Sequence, residues 1–338
     1  MNKRVAIPVL SFLIFSALLV GCNRSSATSA NGAAAPTSSQ TIRVGTNLAL
    51  GTMVPFVANE KGFFQQQGLH VKVVDFADGS PIEAFASGQL DIALLGIAPS
   101  AIWQGQGVSL KVVAAANGGG HVLLTRTDSG INNLQQLKGR KVATPKPGTV
   151  TDTLFRTHIV KEIAQLDPEK DIQIIPNVAP ADMPTALFVT REVDAAITWE
   201  PYASEAEMKF KNAKVLYDSA AEWRKAYPGS GQLYPVNVVI ARQSFIDAHP
   251  SELRKFLAAY AQAIKFINGN PDEANKIIAD DLQLDTAVVA SARHRIDYTW
   301  HVDPDATLKT LEWSKQAGYL KEIPTAARLF DLSYLPAD

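Results

Sequence analysis

Residues 41–76 read TIRVGTNLALGTMVPFVANEKGFFQQQGLHVKVVDF. The segment opens on a strand-like run, TIRVGT, passes through a stretch with helical spacing of apolar residues that stops at Gly68, and returns to a strand pattern in LHVKVVDF. Strand, helix and strand at this spacing form a βαβ unit. Such units impose a parallel sheet, because the chain must cross over between neighbouring strands. The alternation continues in SPIEAFASG, LDIALLG, PSAIWQG and LKVVAAA, so this half of the chain reads as α/β.

On the N-terminal side, MNKRVAIPVLSFLIFSALLVGC (1–22) has the layout of a signal peptide: Lys3 and Arg4, an uncharged run from Val5 to Val20, then Gly21-Cys22. The run is shorter than the roughly 20 residues a spanning helix requires. Leu19-Val20-Gly21-Cys22 resembles a lipobox, which marks Cys22 for lipidation and makes it the mature N-terminus. Cys22 is the only cysteine of the chain, so no disulfide forms within it. Residues 23–40, NRSSATSANGAAAPTSSQ, are small and polar and read as a flexible tether. With 338 residues, 46% of them hydrophobic, the remainder suffices for two domains. The net charge is −1, and removal of Lys3 and Arg4 makes it −3, so nucleic-acid binding is excluded as a main role.

On the C-terminal side, a pattern recurs at a shift of 103 residues. AFASGQLDIALLGIAPSA (84–101) and LFVTREVDAAITWEPYAS (187–204) share an apolar helix end, Asp91 or Asp194 before a buried strand, and a proline at a new helix start. Two similar lobes are one reading and coincidence between βα units is the other. Between the two copies, GRKVATPKPGTVTDTLF (139–155) runs from a short strand into a hydroxyl-rich helix start. It is not a phosphate loop, since Gly148 is followed by Thr149-Val150-Thr151-Asp152 and not by Gly-Lys. It is either an ordinary βα turn capped by Thr149 or Thr151, or a place where free N–H groups and the helix dipole meet an anion.

In open parallel sheets, ligands bind beyond the carboxyl ends of the strands. That rule selects Asn47, Leu48, Gly51 and Thr52 after the first strand, and Gly96, Ile97, Ala98 and Ser100 after LDIALLG. It also selects Gly148, Thr149, Val150 and Thr151 at the junction, with Trp199 and Glu200 of TWEP, while Asn117 of NGGG offers backbone near another strand end. Glu200 also suits a purely structural role at a helix start. Arg156 could reach an anion from two turns further on, or lie on the solvent face. His121, His158 and His301 show no metal-ligand spacing and read as structural or exposed, so neither a metal nor a cofactor is expected. After residue 220 come the helical patterns SELRKFLAAYAQAIKFING, PDEANKIIADD and DPDATLKTLEWSKQAGYL, which should return to cover the first lobe.

Four segments carry a resemblance: ANEKGFFQQQGLHVKVVDFADGSPIEAFASGQLDIALLG, LQQLKGRKVATPKPGTVTD, DMPTALFVTREVDAAITWEPYAS and FIDAHPSELRKFLAAYAQAIKFINGNPDEANKIIA. Together they look like the nitrate, sulfonate and taurine family of substrate-binding proteins that serve ABC importers, over nearly all of residues 41–338. The resemblance implies a type II-like periplasmic binding protein fold: two lobes, each a mostly parallel sheet flanked by helices, joined by two crossover segments. The expected division is 41–125 plus 238–338 for one lobe and 126–237 for the other. It further implies a monomer at the outer face of a bacterial membrane or in the periplasm, held by lipid on Cys22, that closes around one small solute and passes it to a permease and its ATPase.

For the solute, helix starts and hydroxyls suit a small oxyanion such as an aliphatic sulfonate, nitrate, a sulfate ester or the sulfonate of taurine. Glu200 with Trp199 would instead suit an amine or a thiamine-precursor pyrimidine. Enzymes also occur on this fold. A cysteine nucleophile is excluded, because the single thiol is committed to the anchor, and no Ser/His/Asp spacing stands out; no enzymatic activity is expected.

Overall fold

The computed structural model describes residues 41–76, 80–229 and 233–337; the signal peptide, the Cys22 lipidation site and the tether expected at 1–40 lie outside the described residues. Two mixed sheets organise the chain. The first contains β1 (Thr41–Thr46), β2 (His70–Asp75), β3 (Ile92–Gly96), β4 (Leu110–Gly119), β10 (Pro235–Arg242) and β11 (Ile296–Tyr298), in the order β11-β4-β10-β3-β1-β2. The second contains β5 (His121–Arg126), β6 (Lys141–Ala143), β7 (Gln173–Ile175), β8 (Ala195–Trp199) and β9 (Ala213–Asp218), in the order β7-β6-β8-β5-β9.

The parallel core follows from the βαβ pattern: β1 pairs in parallel with β2 and β3, and β6 with β7 and β8. Each core is then joined by antiparallel strands, β10 and β4 in one sheet, β5 and β9 in the other. Read from the edge, β2-β1-β3-β10-β4 and β7-β6-β8-β5-β9 are the same arrangement, which is the two-lobed fold. The chain changes sheet at Gly120, between β4 and β5, where Gly119 and Gly120 have φ of 74° and 92° that residues with a Cβ rarely adopt. It returns after Tyr234. The division expected at 125/126 therefore falls at the end of β5, and that at 237/238 inside β10. Sequence reading overshoots because HVLLTR continues the apolar run of β4 and only the glycines mark the change of sheet.

The repeat has an atomic basis. Asp91, just before β3, accepts hydrogen bonds from the Arg43 backbone N–H at 2.9 Å and from its guanidinium at 2.7 and 3.0 Å. Asp194, just before β8, accepts from the Lys141 backbone N–H at 3.0 Å. In each sheet an aspartate ties the start of one parallel strand to its neighbour. The stretch expected as one helix up to Gly68 is broken into a 3-10 turn at Leu50–Thr52 and helices Val54–Glu60 and Phe63–Gln66. Gly62, at φ 68°, ends the first helix by taking the left-handed conformation.

Helices Pro250–Gly269 and Pro271–Leu282 cover one face of the first sheet, as expected, and bury Phe256 in stacking contact with Phe64 at 5.0 Å between ring centroids. Such a pair adds about 1 kcal/mol beyond the area it buries. A second apolar cluster crosses between the sheets: Ile97, Ala101 and Val238 belong with Leu123, Val142, Leu154 and Leu311. Helix Pro304–Gln316, capped by Asp303 through the Ala306 N–H at 3.0 Å, packs here against both halves. Apolar packing as well as the crossing strands therefore joins the two lobes.

Candidate functional site

The carboxyl ends of β1, β3, β6 and β8 surround a cavity of about 410 Å³. From the first sheet, Asn47, Leu48, Gly51, Gly96 and Asn117 line it; from the second, Thr149, Val150, Thr151, Trp199 and Glu200 do. Five further expected residues, Thr52, Ile97, Ala98, Ser100 and Gly148, do not line it. Their groups are used locally. The Thr52 hydroxyl points back onto its own turn, with the carbonyl oxygens of Asn47 at 2.7 Å and Ala49 at 2.9 Å sharing its one proton. Ser100 donates to Gly96 O at 2.9 Å, and Ile97 and Ala98 are buried in the inter-sheet cluster. The Gly148 N–H is bonded to Asp152 at 3.2 Å.

The junction after β6 supplies the open donors. A helix leaves its first N–H groups without intrahelical partners. At the helix that starts with Val150–Thr153 and runs on in π-helical turns over Leu154–Ile163, two such groups are satisfied locally. Thr149 N–H donates to Lys146 O at 3.2 Å, and Asp152 N–H to the Thr149 hydroxyl oxygen at 3.2 Å, so Thr149 is the N-cap. The N–H groups of Val150 and Thr151 and the Thr151 hydroxyl remain without a partner among the described residues, at the positive end of the helix. Arg156, a candidate from sequence, is bound instead to Asp152 at 2.8 Å and to Glu169.

On the first sheet the polar groups hold one another. Asn237 Nδ2 donates to Asn117 Oδ1 at 2.8 Å, fixing the amide that faces the cavity. Gly51 lies flat against that amide: a Cβ at this position would sit 2.2 Å from Asn117 Oδ1. Glycine is needed here for space. The halves meet across the cavity where the Leu50 N–H donates to Glu200 O at 3.2 Å.

Glu200 touches the cavity wall, but its carboxylate is engaged behind it. It accepts from the Ser204 N–H and hydroxyl at 3.0 Å each and from Arg295 at 2.8 Å. Arg295 precedes β11 of the first sheet and also binds Glu207 at 2.7 Å and Asp218 at 2.6 Å, three carboxylates from the second sheet's side. Burial pushes the Glu200 carboxyl up, while Arg295 and Ser204 pull it back. Burial also opposes the charge on Arg295, yet its carboxylate partners outweigh this and hold its pKa above the ordinary arginine value. This favours the structural role for Glu200.

Among the lining residues Lys146 is the one lysine or arginine, and it stands exposed at the rim, 3.5 Å from Glu83. The Trp199 indole N–H, buried in the cavity wall, has no partner among the described residues. His121 also lines the cavity, 3% exposed, where sequence reading places it as structural or exposed. Its position directly after NGGG, where the chain changes sheet, is the signal that could have found it. His158 pairs with Glu162 at 2.7 Å, away from the cavity. Among the described residues no group of three His, Cys, Asp or Glu could hold a metal.

The family model described as "NMT1/THI5 like" matches residues 52–274. A curated relative, the "Putative aliphatic sulfonates-binding protein" of Bacillus subtilis, is 30% identical over 83% of this chain and 79% of its own. Among solved structures, the periplasmic aliphatic sulphonate binding protein SsuA of Escherichia coli superposes with a TM-score of 0.70 at 20% identity, covering 87% of this chain and 92% of that one. The periplasmic nitrate-binding protein NrtA of Synechocystis PCC 6803 gives 0.74 at 16% identity, covering 88% and 87%. At these identities the structures speak for the fold alone.

Proposed function

The chain belongs to the NMT1/THI5-like family, and from that premise we propose that it is the solute-binding lipoprotein of an ABC importer, with an aliphatic sulfonate as its cargo. Lipid on Cys22 holds it to a bacterial membrane, and the monomer hands its solute to a permease and its ATPase. The ligand residues we assign are Asn47, Leu48, Gly51, Gly96, Asn117, Val150, Thr151 and Trp199, with Thr149 and Glu200 holding the walls in shape.

One observation carries the reading: open N–H groups of Val150 and Thr151 beside a cavity whose side chains bring no buried cation. A helix start binds an oxyanion through N–H groups and dipole without a countercharge. A cavity of about 410 Å³ also has room for an organic body behind the head group, more than bare nitrate fills. The apolar wall of Leu48, Leu95, Pro99 and Val236 suits an alkyl chain. The amine reading loses its support, because the Glu200 carboxylate is held by Arg295 and Ser204.

The test is a thermal-shift and calorimetry panel of alkanesulfonates from C1 to C8, taurine, nitrate, a sulfate ester, bicarbonate and pyrimidines. A ligand at 100 times its dissociation constant adds about 2.7 kcal/mol of stability. C4 to C8 sulfonates should give the largest shift and nitrate little. A shift confined to amines or pyrimidines would overturn the assignment.

A further inference from the structure

We propose that His121 is a specificity-determining donor of this cavity: its ring is locked in the neutral tautomer with hydrogen on Nε2, and that N–H is presented to an acceptor oxygen of the ligand. The proposal rests on the reading of the cavity as the solute site, and deepens it by naming a residue that discriminates acceptors from donors.

The lock is a pair of buried groups, the His121 ring and the Tyr234 phenol, with Ser219 holding the His121 backbone. The His121 backbone N–H donates to Ser219 Oγ at 3.0 Å, which places the Ser219 hydroxyl beside the ring. The Tyr234 phenol meets His121 Nδ1. Ser219 and Tyr234 are each 1% exposed, so both lie in the interior. A phenol carries one proton. The hydrogen-bond partner that the phenol reaches is Nδ1. An Nδ1–H would leave the phenol proton buried and unbonded, and an unsatisfied buried donor costs more than a made hydrogen bond contributes. Nδ1 therefore accepts, and the single imidazole hydrogen sits on Nε2.

Nε2 has no hydrogen-bond partner among the described residues, and the residue lines the cavity. Burial pushes the imidazole pKa down to about 3, so the ring stays uncharged at neutral pH. The cavity then holds a consistent set of donors without partners among the described residues: the N–H groups of Val150 and Thr151 and His121 Nε2–H. A sulfonate oxygen satisfies such a donor. A protonated amine opposes N–H to N–H and leaves both unpaired, which a buried site rejects strongly.

The tautomer is read directly from long-range 1H–15N spectra of the full-length protein labelled at histidine, at pH 7, with His121 assigned by its absence in His121→Gln. The expected pattern is protonated Nε2 and unprotonated Nδ1; the opposite pattern, or a mixture of the two, overturns the lock. Calorimetry with hexanesulfonate tests the role. His121→Gln keeps an N–H near Nε2 and should bind within about threefold of wild type, whereas His121→Leu should lose at least tenfold. Tyr234→Phe, which removes the locking proton and leaves the fold's apolar contacts, should release the tautomer and weaken binding severalfold. Wild-type affinity in both His121→Leu and Tyr234→Phe refutes the role of His121. Failure of wild type itself to bind hexanesulfonate refutes the sulfonate reading, and the nitrogen spectrum still decides the lock.

Discussion

The half of the molecule built on β1 and β3 and the half built on β6 and β8 share strand order and an aspartate tie, yet treat their polar groups in opposite ways. After β1 the hydroxyl of Thr52 and the carbonyls of Asn47 and Ala49 close on one another. After β6 the N–H groups of Val150 and Thr151 stay open. Near the start of each following helix, the shift of 103 residues sets Ile97, which is apolar and buried, against Glu200, which is charged and buried. One half thus supplies a finished wall and the other supplies unsatisfied donors together with a charge that must be held. Similar folds do not imply equal division of labour.

The held charge gives the largest expected effect. Glu200 has no exposed side-chain surface and depends on Arg295, itself 16% exposed. Arg295→Ala strands Glu200 in the interior, and breaking a buried pair in this way costs about 3–5 kcal/mol. Urea unfolding should show that loss, with partial recovery in the Glu200→Gln, Arg295→Ala double variant. A single variant as stable as wild type would erase the asymmetry, since Ile97 needs no such partner.

The aspartate ties come next. Asp91 is buried and accepts three hydrogen bonds from Arg43, whereas Asp194 is less buried and holds one strand N–H. Hydrogen bonds to a charged group contribute about 1.5–3 kcal/mol each at most, and the exposed Arg43 head lowers its share. Asp91→Ala should therefore cost about 2–3 kcal/mol in urea unfolding and Asp194→Ala about 1 kcal/mol. Equal losses would mean that the guanidinium adds nothing.

These ties are legible in the residues themselves, because each aspartate sits one residue before a buried strand and the pattern repeats. The α/β class, β1, β3, β8, the Thr149 cap and the cavity's position at the strand ends are legible for the same reason: they are local or follow from sheet topology. The Arg295–Glu200 pair spans 95 residues, and no local spacing announces it. Thr52 and Ser100 are expected in the site because they are hydroxyls near strand ends. Which carbonyl a hydroxyl finds is decided by backbone turns that the residue types leave open. His121 escapes the same reading because its one local signal, the place directly after NGGG, says nothing of what its ring will touch. Its meaning arises only once Ser219 and Tyr234 are folded onto it.

The His121 lock also separates the halves by pH. Its folded pKa, about 3, is depressed below the ordinary 6.5. The stability it contributes is present in full above about pH 6.5 and is lost as pH falls toward 3, because the unfolded chain takes up a proton that the folded chain refuses. Between pH 7 and pH 5 the loss from this one group is about 2 kcal/mol. His121→Gln should lose that much less over the same interval in urea titrations, all other groups being shared. Parallel pH profiles for the two proteins would show the ring to be protonated, or freely solvated, in the fold.

The smallest effect bears most directly on binding. Thr149 and Thr151 stand two residues apart at the same helix start, but the Thr149 hydroxyl is spent on the cap, accepting from Asp152 N–H at 3.2 Å and donating to Lys146 O at 2.9 Å. Thr151 lines the cavity with its hydroxyl unpartnered among the described residues. Thr151→Val keeps the shape and the backbone N–H, so it should weaken hexanesulfonate by about 1 kcal/mol, roughly fivefold, and leave unfolding unchanged. Thr149→Val should do the reverse, with about 1 kcal/mol lost from stability through the missing cap and a smaller change in affinity. If both substitutions act on stability alone, the open N–H pair is not where the ligand's head group rests, and the division of labour between the halves must be drawn elsewhere.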